Sequence, residues 1–136
     1  MRLEEPVAVR QAPPGSEGQE PCAMKLVSCI IRPESLEVVT TALNTLQGVG
    51  GITLTDVRGF GRQRGQIEHY RGEAYTIRFL QKVKVEVAIR DEDVERVVTA
   101  IGQAARTGQV GDGKIFVLDL RTAMRIRTGD RGATAL

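Results

Sequence analysis

The sequence predicts an α+β domain in which two helices cover one face of a four-stranded antiparallel sheet. The chain has 136 residues, 41% of them hydrophobic, which suits one core better than two. Four short runs rich in β-branched residues are typical of strands. Two other segments repeat apolar residues at helical spacing. Read in chain order, these runs give strand, helix, strand, strand, helix, strand.

The first half of this pattern begins at Met24. Residues 26–31 are an apolar run that ends before Pro33 and predicts a buried strand. The next segment repeats apolar residues at helical spacing, and residues 48–51 should end the helix because glycine tolerates the positive φ of a C-cap. Residues 52–58 then alternate as a second strand. The apolar helix positions are Leu36, Val39, Leu43 and Leu46.

The second half repeats the arrangement. Residues 82–89 alternate between aliphatic and mostly polar side chains, which predicts a strand with one buried face. Asp91 or Asp93 is expected to cap the following helix, which has its own apolar stripe. Residues 115–120 form the final strand. The resulting βαββαβ order is ferredoxin-like, and it leaves the second face of the sheet in need of a partner.

Residues 1–23 contain four prolines and no sustained period, so we expect a disordered N-terminal extension ahead of a domain at 24–136. A natural start at Met24 is the alternative. Cys22 and Cys29 do not form a disulfide framework, which favours a reducing, cytoplasmic location. No apolar run approaches ~20 residues, so no membrane insertion is expected.

Nucleic acid is a poor candidate partner. The net charge is only +2, and basic and acidic residues are interleaved along the chain. Base stacking on a sheet needs aromatic residues on the strands, and here Phe116 is the exception among aliphatics. Any anion site should therefore be local.

A polar stretch follows Arg58 and has no period of its own, which predicts a long mobile loop at about 61–77. Tyr70 and Tyr75 in this loop suit partner contact or covalent modification. His69 is the only histidine of the chain and lies in the same loop. With no base beside a nucleophile, we expect no enzyme activity.

Residues 107–114 are the most informative segment. Gly108, Gly113 and Lys114 satisfy G-x-x-x-x-G-K, but Ile115 stands where a Walker loop has a hydroxyl, and a strand follows where a P-loop opens a helix. The segment can still offer backbone N–H groups and a cation to a phosphate. A glycine-rich turn with an incidental lysine is the alternative.

Two arginines follow this segment after ten intervening residues. In an extended chain Arg125 and Arg127 would share one side, and with Lys114 they would make a cluster of three cations. Each charge-assisted hydrogen bond to a phosphate contributes about 1.5 to 3 kcal/mol. A solvated edge strand protected by charge is the alternative.

Several runs, in order, resemble the nitrogen regulatory PII family over residues 24–129. The runs are Ile30-Ile31-Arg32-Pro33, Thr55-Asp56-Val57-Arg58-Gly59-Phe60-Gly61-Arg62-Gln63, Tyr70-Arg71-Gly72, Ala105-Arg106-Thr107-Gly108, Gly111-Asp112-Gly113-Lys114-Ile115-Phe116-Val117 and Arg125-Ile126-Arg127-Thr128-Gly129.

The resemblance implies a homotrimer whose sheets pack inward and whose nucleotide sites lie between neighbouring subunits. ATP or ADP would be bound by Gly61, Arg62, Gln63, Gly111, Gly113, Lys114, Arg125 and Arg127. With Mg-ATP, 2-oxoglutarate would be bound by Gln63, Arg64, Gly65 and Lys82, and Gln63 would be linked to the Mg²⁺ ion.

The function implied is a sensor of nitrogen and energy status that controls its targets through the mobile loop. An ammonium transporter at a membrane, a biosynthetic enzyme or a nucleotidyltransferase would be the target. Tyr75 aligns with a tyrosine that other enzymes modify in relatives, whereas Glu73 replaces a phosphorylated serine, and Arg64 replaces a common lysine. The alternatives are an adenine-nucleotide sensor with another small-anion co-ligand, and a weak ATPase.

Overall fold

The computed structural model describes residues 23–60, 67–70, 73–76 and 79–136, and at 67–70 and 73–76 it describes the backbone alone. The expected extension lies, except for Ala23, outside the described residues. Its disorder therefore stays a prediction.

The described residues form six strands and two α-helices. Short 3₁₀ turns precede both helices, at Pro33–Ser35 and Asp91–Asp93. In chain order the elements are β1 (Met24–Ile31), α1 (Leu36–Asn44), β2 (Thr53–Gly59), β3 (Ile67–Tyr70), β4 (Glu73–Thr76), β5 (Leu80–Arg90), α2 (Val94–Ala105) and β6 (Gly113–Leu120).

The main sheet has four strands in the order β2-β5-β1-β6, and every neighbouring pair is antiparallel. In this register Val27 of β1 lies between Val87 of β5 and Val117 of β6. The predicted βαββαβ architecture is confirmed.

The core lies between the two helices and one face of this sheet. Side chains at alternate positions of β1 and β5 point into it, because successive strand residues face opposite sides. The sequence pattern predicts this alternation for β5, whereas it predicts a continuous buried run for β1. Leu43 of α1 and Ile101 of α2 are at most 1% exposed. The other core members are Val27, Cys29, Ile31, Val39, Val83, Val85, Val87, Ile89, Val97 and Ala105.

The opposite face of the sheet has no covering element among the described residues. By register Leu118 and Phe116 of β6 belong to this face, and their side chains are 48% and 49% exposed. Ile30 on the same face, near the end of β1, is half-buried. The sequence prediction that this face needs a partner therefore stays a prediction.

The ends of the helices differ in detail from expectation. The first helix ends at Asn44, before the glycines, and the positive φ of 93° occurs at Gly48 in the following loop. A Cβ at Gly48 would lie 2.6 Å from Asp93 Oδ2. Asp93 is the N-cap residue of α2, but its carboxylate accepts no helix N–H and instead pairs with Arg96.

The stretch that shows no period contains a small antiparallel hairpin. Strands β3 and β4 pair in the register that sets Glu68 opposite Tyr75. Each strand is four residues long. Runs this short carry too few side chains for an alternation to stand out from the sequence.

Candidate functional site

A cleft of about 420 Å³ opens where the ends of three strands meet the loop before β6. The loop and the first residue of β6 contribute residues 109–113, and the rest of the sheet contributes the end of β1 and the paired ends of β2 and β5. The lining residues are Ile30, Gly59, Phe60, Leu80, Lys82, Gln109, Val110, Gly111, Asp112, Gly113, Lys114 and Phe116.

Glycine is required in this loop at the point where it joins the sheet. Gly113 has a φ of 112°, a conformation that side chains with a Cβ rarely adopt. A Cβ there would collide with the carbonyl group of Ile30 on β1. Gly111 also has positive φ, at 105°. The glycines let the loop turn sharply and lie directly against the strand.

The Asp112 carboxylate organises the loop from inside. Its Oδ2 accepts hydrogen bonds of 2.8 Å from the backbone N–H groups of Thr107 and Gly108. Its Oδ1 accepts a hydrogen bond from the Thr107 hydroxyl. These bonds, together with one from Arg32, hold the pKa of the Asp112 carboxyl far below its usual range. Asp112 is therefore ionised at neutral pH.

Two cations from the sheet hold the loop from outside. Arg32, just past β1, donates two hydrogen bonds to the loop. Its Nε donates to Asp112 Oδ1 at 3.2 Å, and its Nη2 donates to the carbonyl oxygen of Val110 at 2.8 Å. Lys82 of β5 donates 2.9 Å from Nζ to the carbonyl oxygen of Gly111. Burial and the nearby Arg32 guanidinium lower the pKa of Lys82.

A further cation lies at the end of the loop. Lys114 is the second residue of β6 and is exposed. Lys114 is paired with Ile30 of β1, which places Lys114 on the sheet face opposite the helices. Lys82 lies on the same face. Two lysines thus border the cleft from different strands, an arrangement suited to an anionic ligand.

Aromatic rings lie at the mouth of the cleft. Phe60 and Phe79 flank the last residue pair between β2 and β5, and their rings meet edge to face with centroids 6.1 Å apart. Phe60, Leu80 and Phe116 give the cleft an apolar side beside its cationic side. A ligand with a flat apolar part and an anionic part would satisfy both sides.

The alternation argument for Arg125 and Arg127 is wrong. Residues 126–128 form a turn, closed by a 2.7 Å hydrogen bond from Gly129 N–H to the Arg125 carbonyl oxygen. Alternate side chains share a side only in an extended chain, so the shared face does not follow.

Neither arginine is among the residues that line the cleft, whereas Lys114 is. Arg125 pairs with Asp130 at 3.2 Å and donates to the carbonyl oxygens of Thr134 and Leu136. Arg127 is exposed.

Most of the remaining candidates lie outside the described residues. Gly61, Arg62, Gln63, Arg64 and Gly65 fall in the undescribed segment 61–66, which begins next to the Phe60 end of the cleft. Tyr75 lies on β4. In the described part of the chain, no three acidic, histidine or cysteine side chains gather to hold a metal ion.

Sequence reasoning assigned no role to three residues that shape the site. Thr107 and Asp112 are five residues apart, a local spacing at which a carboxylate can bond back to the backbone. That signal was present in the sequence. Arg32 is 80 residues from its partner Asp112, and no local pattern predicts such a contact.

The comparisons with known proteins agree with this geometry. The family model "Nitrogen regulatory protein P-II" matches residues 24–130. The nitrogen regulatory protein GlnK of Escherichia coli (strain K12) is 50% identical over 113 residues, which are 83% of this chain and 100% of that protein. The nitrogen regulatory protein P-II of Rhodospirillum rubrum is 52% identical over the same shares.

A solved structure is similar as well. The crystal structure of Arabidopsis thaliana PII bound to citrate aligns with a TM-score of 0.69 at 37% identity, and the match covers 85% of this chain and 94% of that chain. An α+β fold with an anion-suited cleft thus coincides with a family of regulatory proteins. The chain belongs to the nitrogen regulatory protein P-II family.

No helix in the described part of the chain is long and apolar enough to cross a membrane.

Proposed function

We propose that this protein is a sensor of nitrogen and energy status that binds ATP or ADP in the cleft and, with Mg-ATP, also 2-oxoglutarate. One observation carries the proposal: a glycine loop, Lys114 and Lys82 surround a cleft that also has an apolar side. Phosphates would lie against the loop and its cations, and the adenine would use the apolar side.

A homotrimer completes the site in this proposal. Arg125 and Arg127 do not line the cleft of their own chain, and in this proposal a neighbouring protomer would supply them. The open sheet face, with Leu118 and Phe116 about half exposed, would pack toward the trimer axis. Because these side chains are already about half-buried, covering them would contribute less than the ~1.5 to 3 kcal/mol that full burial of an exposed side chain gives.

The 2-oxoglutarate site would use Lys82 together with Gln63, Arg64 and Gly65, and Gln63 would bind the Mg²⁺ ion. Lys82 supports this because the residue is half-buried and lines the cleft, where a carboxylate could accept a hydrogen bond from its ammonium group. Ligands there would shift the conformers of segment 61–77, and target proteins would read the conformer.

The targets would be proteins such as an ammonium transporter, a biosynthetic enzyme or a nucleotidyltransferase in the cytoplasm, and Tyr75 would be the modified residue. The intact mass of protein purified from nitrogen-limited cells of its own host tests the modification.

A different small anion beside the nucleotide is the second candidate. Its support is the relative from Arabidopsis thaliana, whose structure is described as bound to citrate, a tricarboxylate. The weak ATPase is less favoured. Asp112 is the carboxylate that lines the described cleft, and its hydrogen bonds leave it poorly suited to accept a proton.

Calorimetry tests the proposal. ATP and ADP are titrated into the protein first, and 2-oxoglutarate is then titrated into the protein with Mg-ATP. We expect Lys82→Ala to weaken 2-oxoglutarate binding by about tenfold or more.

Lys84→Ala is the matched control, because Lys84 lies two residues along β5 on the same sheet face and does not line the cleft. Absence of 2-oxoglutarate binding, with citrate binding in its place, would favour the second candidate. Absence of binding of both nucleotides would refute the proposal.

A further inference from the structure

The loop before β6 folds around an acidic residue although we propose that it binds an anion. Asp112 adds a negative charge to the phosphate-facing segment, and by Coulomb's law alone it should weaken phosphate binding. Its hydrogen bonds give the opposite expectation, because in the described part of the chain the carboxylate accepts them from the loop and from Arg32.

The carboxylate determines which backbone donors of the loop remain available. The N–H groups of Thr107 and Gly108 are used by Asp112, and that of Gln109 donates to the Thr107 hydroxyl at 3.2 Å. Within the described part of the chain, no acceptor takes the N–H of Val110 or Gly111. Both of these residues line the cleft.

The carbonyl oxygens of the same two residues are held by cations. Arg32 donates a hydrogen bond of 2.8 Å to the carbonyl oxygen of Val110, and Lys82 donates one of 2.9 Å to that of Gly111. Arg32 reaches the Val110 oxygen while it pairs with Asp112, so it both neutralises the acid and fixes the peptide. In the Val110–Gly111 peptide the oxygen, which would repel a phosphate, is therefore occupied, while the Gly111 N–H has no acceptor in the described part of the chain. The Gln109 oxygen of the preceding peptide accepts a hydrogen bond of 3.3 Å from the Asp112 N–H, and the Val110 N–H of that peptide likewise has no described acceptor.

We infer that Asp112, braced by Thr107 and Arg32, is a positioning residue that holds residues 107–113 in the shape that binds phosphate. This inference rests on the proposed nucleotide site and deepens it. Asp112 itself does not contact the phosphate. It stabilises the loop before the ligand arrives, which lowers the ordering cost of binding.

The test measures dissociation constants of ATP and ADP by calorimetry for wild type, Asp112→Asn and Thr107→Val. Asp112→Asn removes a negative charge, so simple electrostatics predicts tighter binding, whereas loss of positioning predicts binding weaker by about tenfold. Thr107→Val keeps the side-chain shape but removes the hydroxyl that bonds to Asp112, and we expect a similar loss.

Thr107→Ser restores a hydroxyl and should recover most of the affinity lost in Thr107→Val, a rescue that a general packing defect would not give. Asp119→Asn is the charge-matched control, because Asp119 lies at the far end of β6 and pairs with Lys25. Amide hydrogen exchange of the unliganded protein should speed up at Thr107 and Gly108 in Asp112→Asn, and should not in Asp119→Asn.

The outcomes separate the two claims. Wild-type affinity in Asp112→Asn and Thr107→Val, beside normal binding by wild type, would overturn the positioning role alone. Tighter binding by Asp112→Asn would overturn it too. A wild-type protein that binds neither nucleotide would overturn the proposed function, and the positioning role with it.

Discussion

The ammonium group of Lys82 donates a 2.9 Å hydrogen bond to the carbonyl oxygen of Gly111, which ties strand β5 to the glycine loop. In the proposed function these two residues serve different ligands, since Gly111 faces the nucleotide and Lys82 faces the oxoacid. Because an ammonium group has three donors, a carboxylate could bind Lys82 while the Gly111 hydrogen bond is kept, so Lys82 would link the two ligand positions directly.

Substitution of Gly113 by alanine is expected to destabilise the protein more than the same substitution at Gly102. Gly113→Ala forces a side chain into φ of 112° and against the Ile30 carbonyl, and should lower the free energy of unfolding by at least about 2 kcal/mol. Gly102→Ala is the control, because Gly102 lies in α2 and, beyond its own helix backbone, no described atom would lie within 4 Å of the added Cβ. It should be neutral or stabilise by up to about 1 kcal/mol. Urea denaturation measures both, and equal effects would contradict the geometry of the loop.

Asp112 should make the free energy of unfolding depend on pH in the acid range. Its pKa in the folded protein is lowered from the ordinary 3.8, so the ionised carboxylate stabilises the fold above that value. The stabilisation should be lost as the pH falls through 3.8 toward the lower folded value. Urea unfolding at a series of acid pH values should show wild type and Asp112→Asn differing most near neutral pH and converging in acid. Parallel curves would refute the proposed effect.

Cys29 should be an unreactive thiol in the native protein. Its side chain is 0% exposed, and burial raises its pKa to about 11. Since the thiolate is the reactive form, alkylation in a Cys22→Ser background should be slow until denaturant unfolds the chain. The rate of thiol labelling with and without denaturant measures this. Fast labelling of the folded protein would mean that the core around β1 opens readily.

Substitutions of the two arginines near the end of the chain should affect the free energy of unfolding differently but should both weaken ATP binding. Arg125→Gln removes an ion pair and two hydrogen bonds to carbonyl oxygens, and should lower the free energy of unfolding by about 1 to 2 kcal/mol. Arg127→Gln should change it by less than about 0.5 kcal/mol, because Arg127 is exposed. Both variants should bind ATP more weakly. Thermal unfolding and calorimetry on the same samples distinguish the effects, and normal affinity in both would exclude the arginines from the site.

The sequence was sufficient for the main architecture because its signals are local. Alternation in β5 and helical spacing in α2 each persist over many residues, so strand order and the buried face could be predicted. The glycine loop with Lys114 could be predicted for the same reason.

Long-range contacts could not be predicted from local patterns. The pairing of Arg32 with Asp112 depends on how β1 and the β6 loop meet in the folded chain. The turn at residues 126–128 was missed because a short basic run fits an extended strand as well as a turn.

Subunit complementation tests the central claim most directly. Lys114→Gln and Arg127→Gln are prepared separately, each with weak ATP binding, and are then unfolded together and reassembled. Because the claim places Lys114 and Arg127 of one site on different protomers, random mixing should restore about a quarter of the sites to wild-type affinity. A mixture that binds no more ATP than the separate variants would contradict a nucleotide held between protomers.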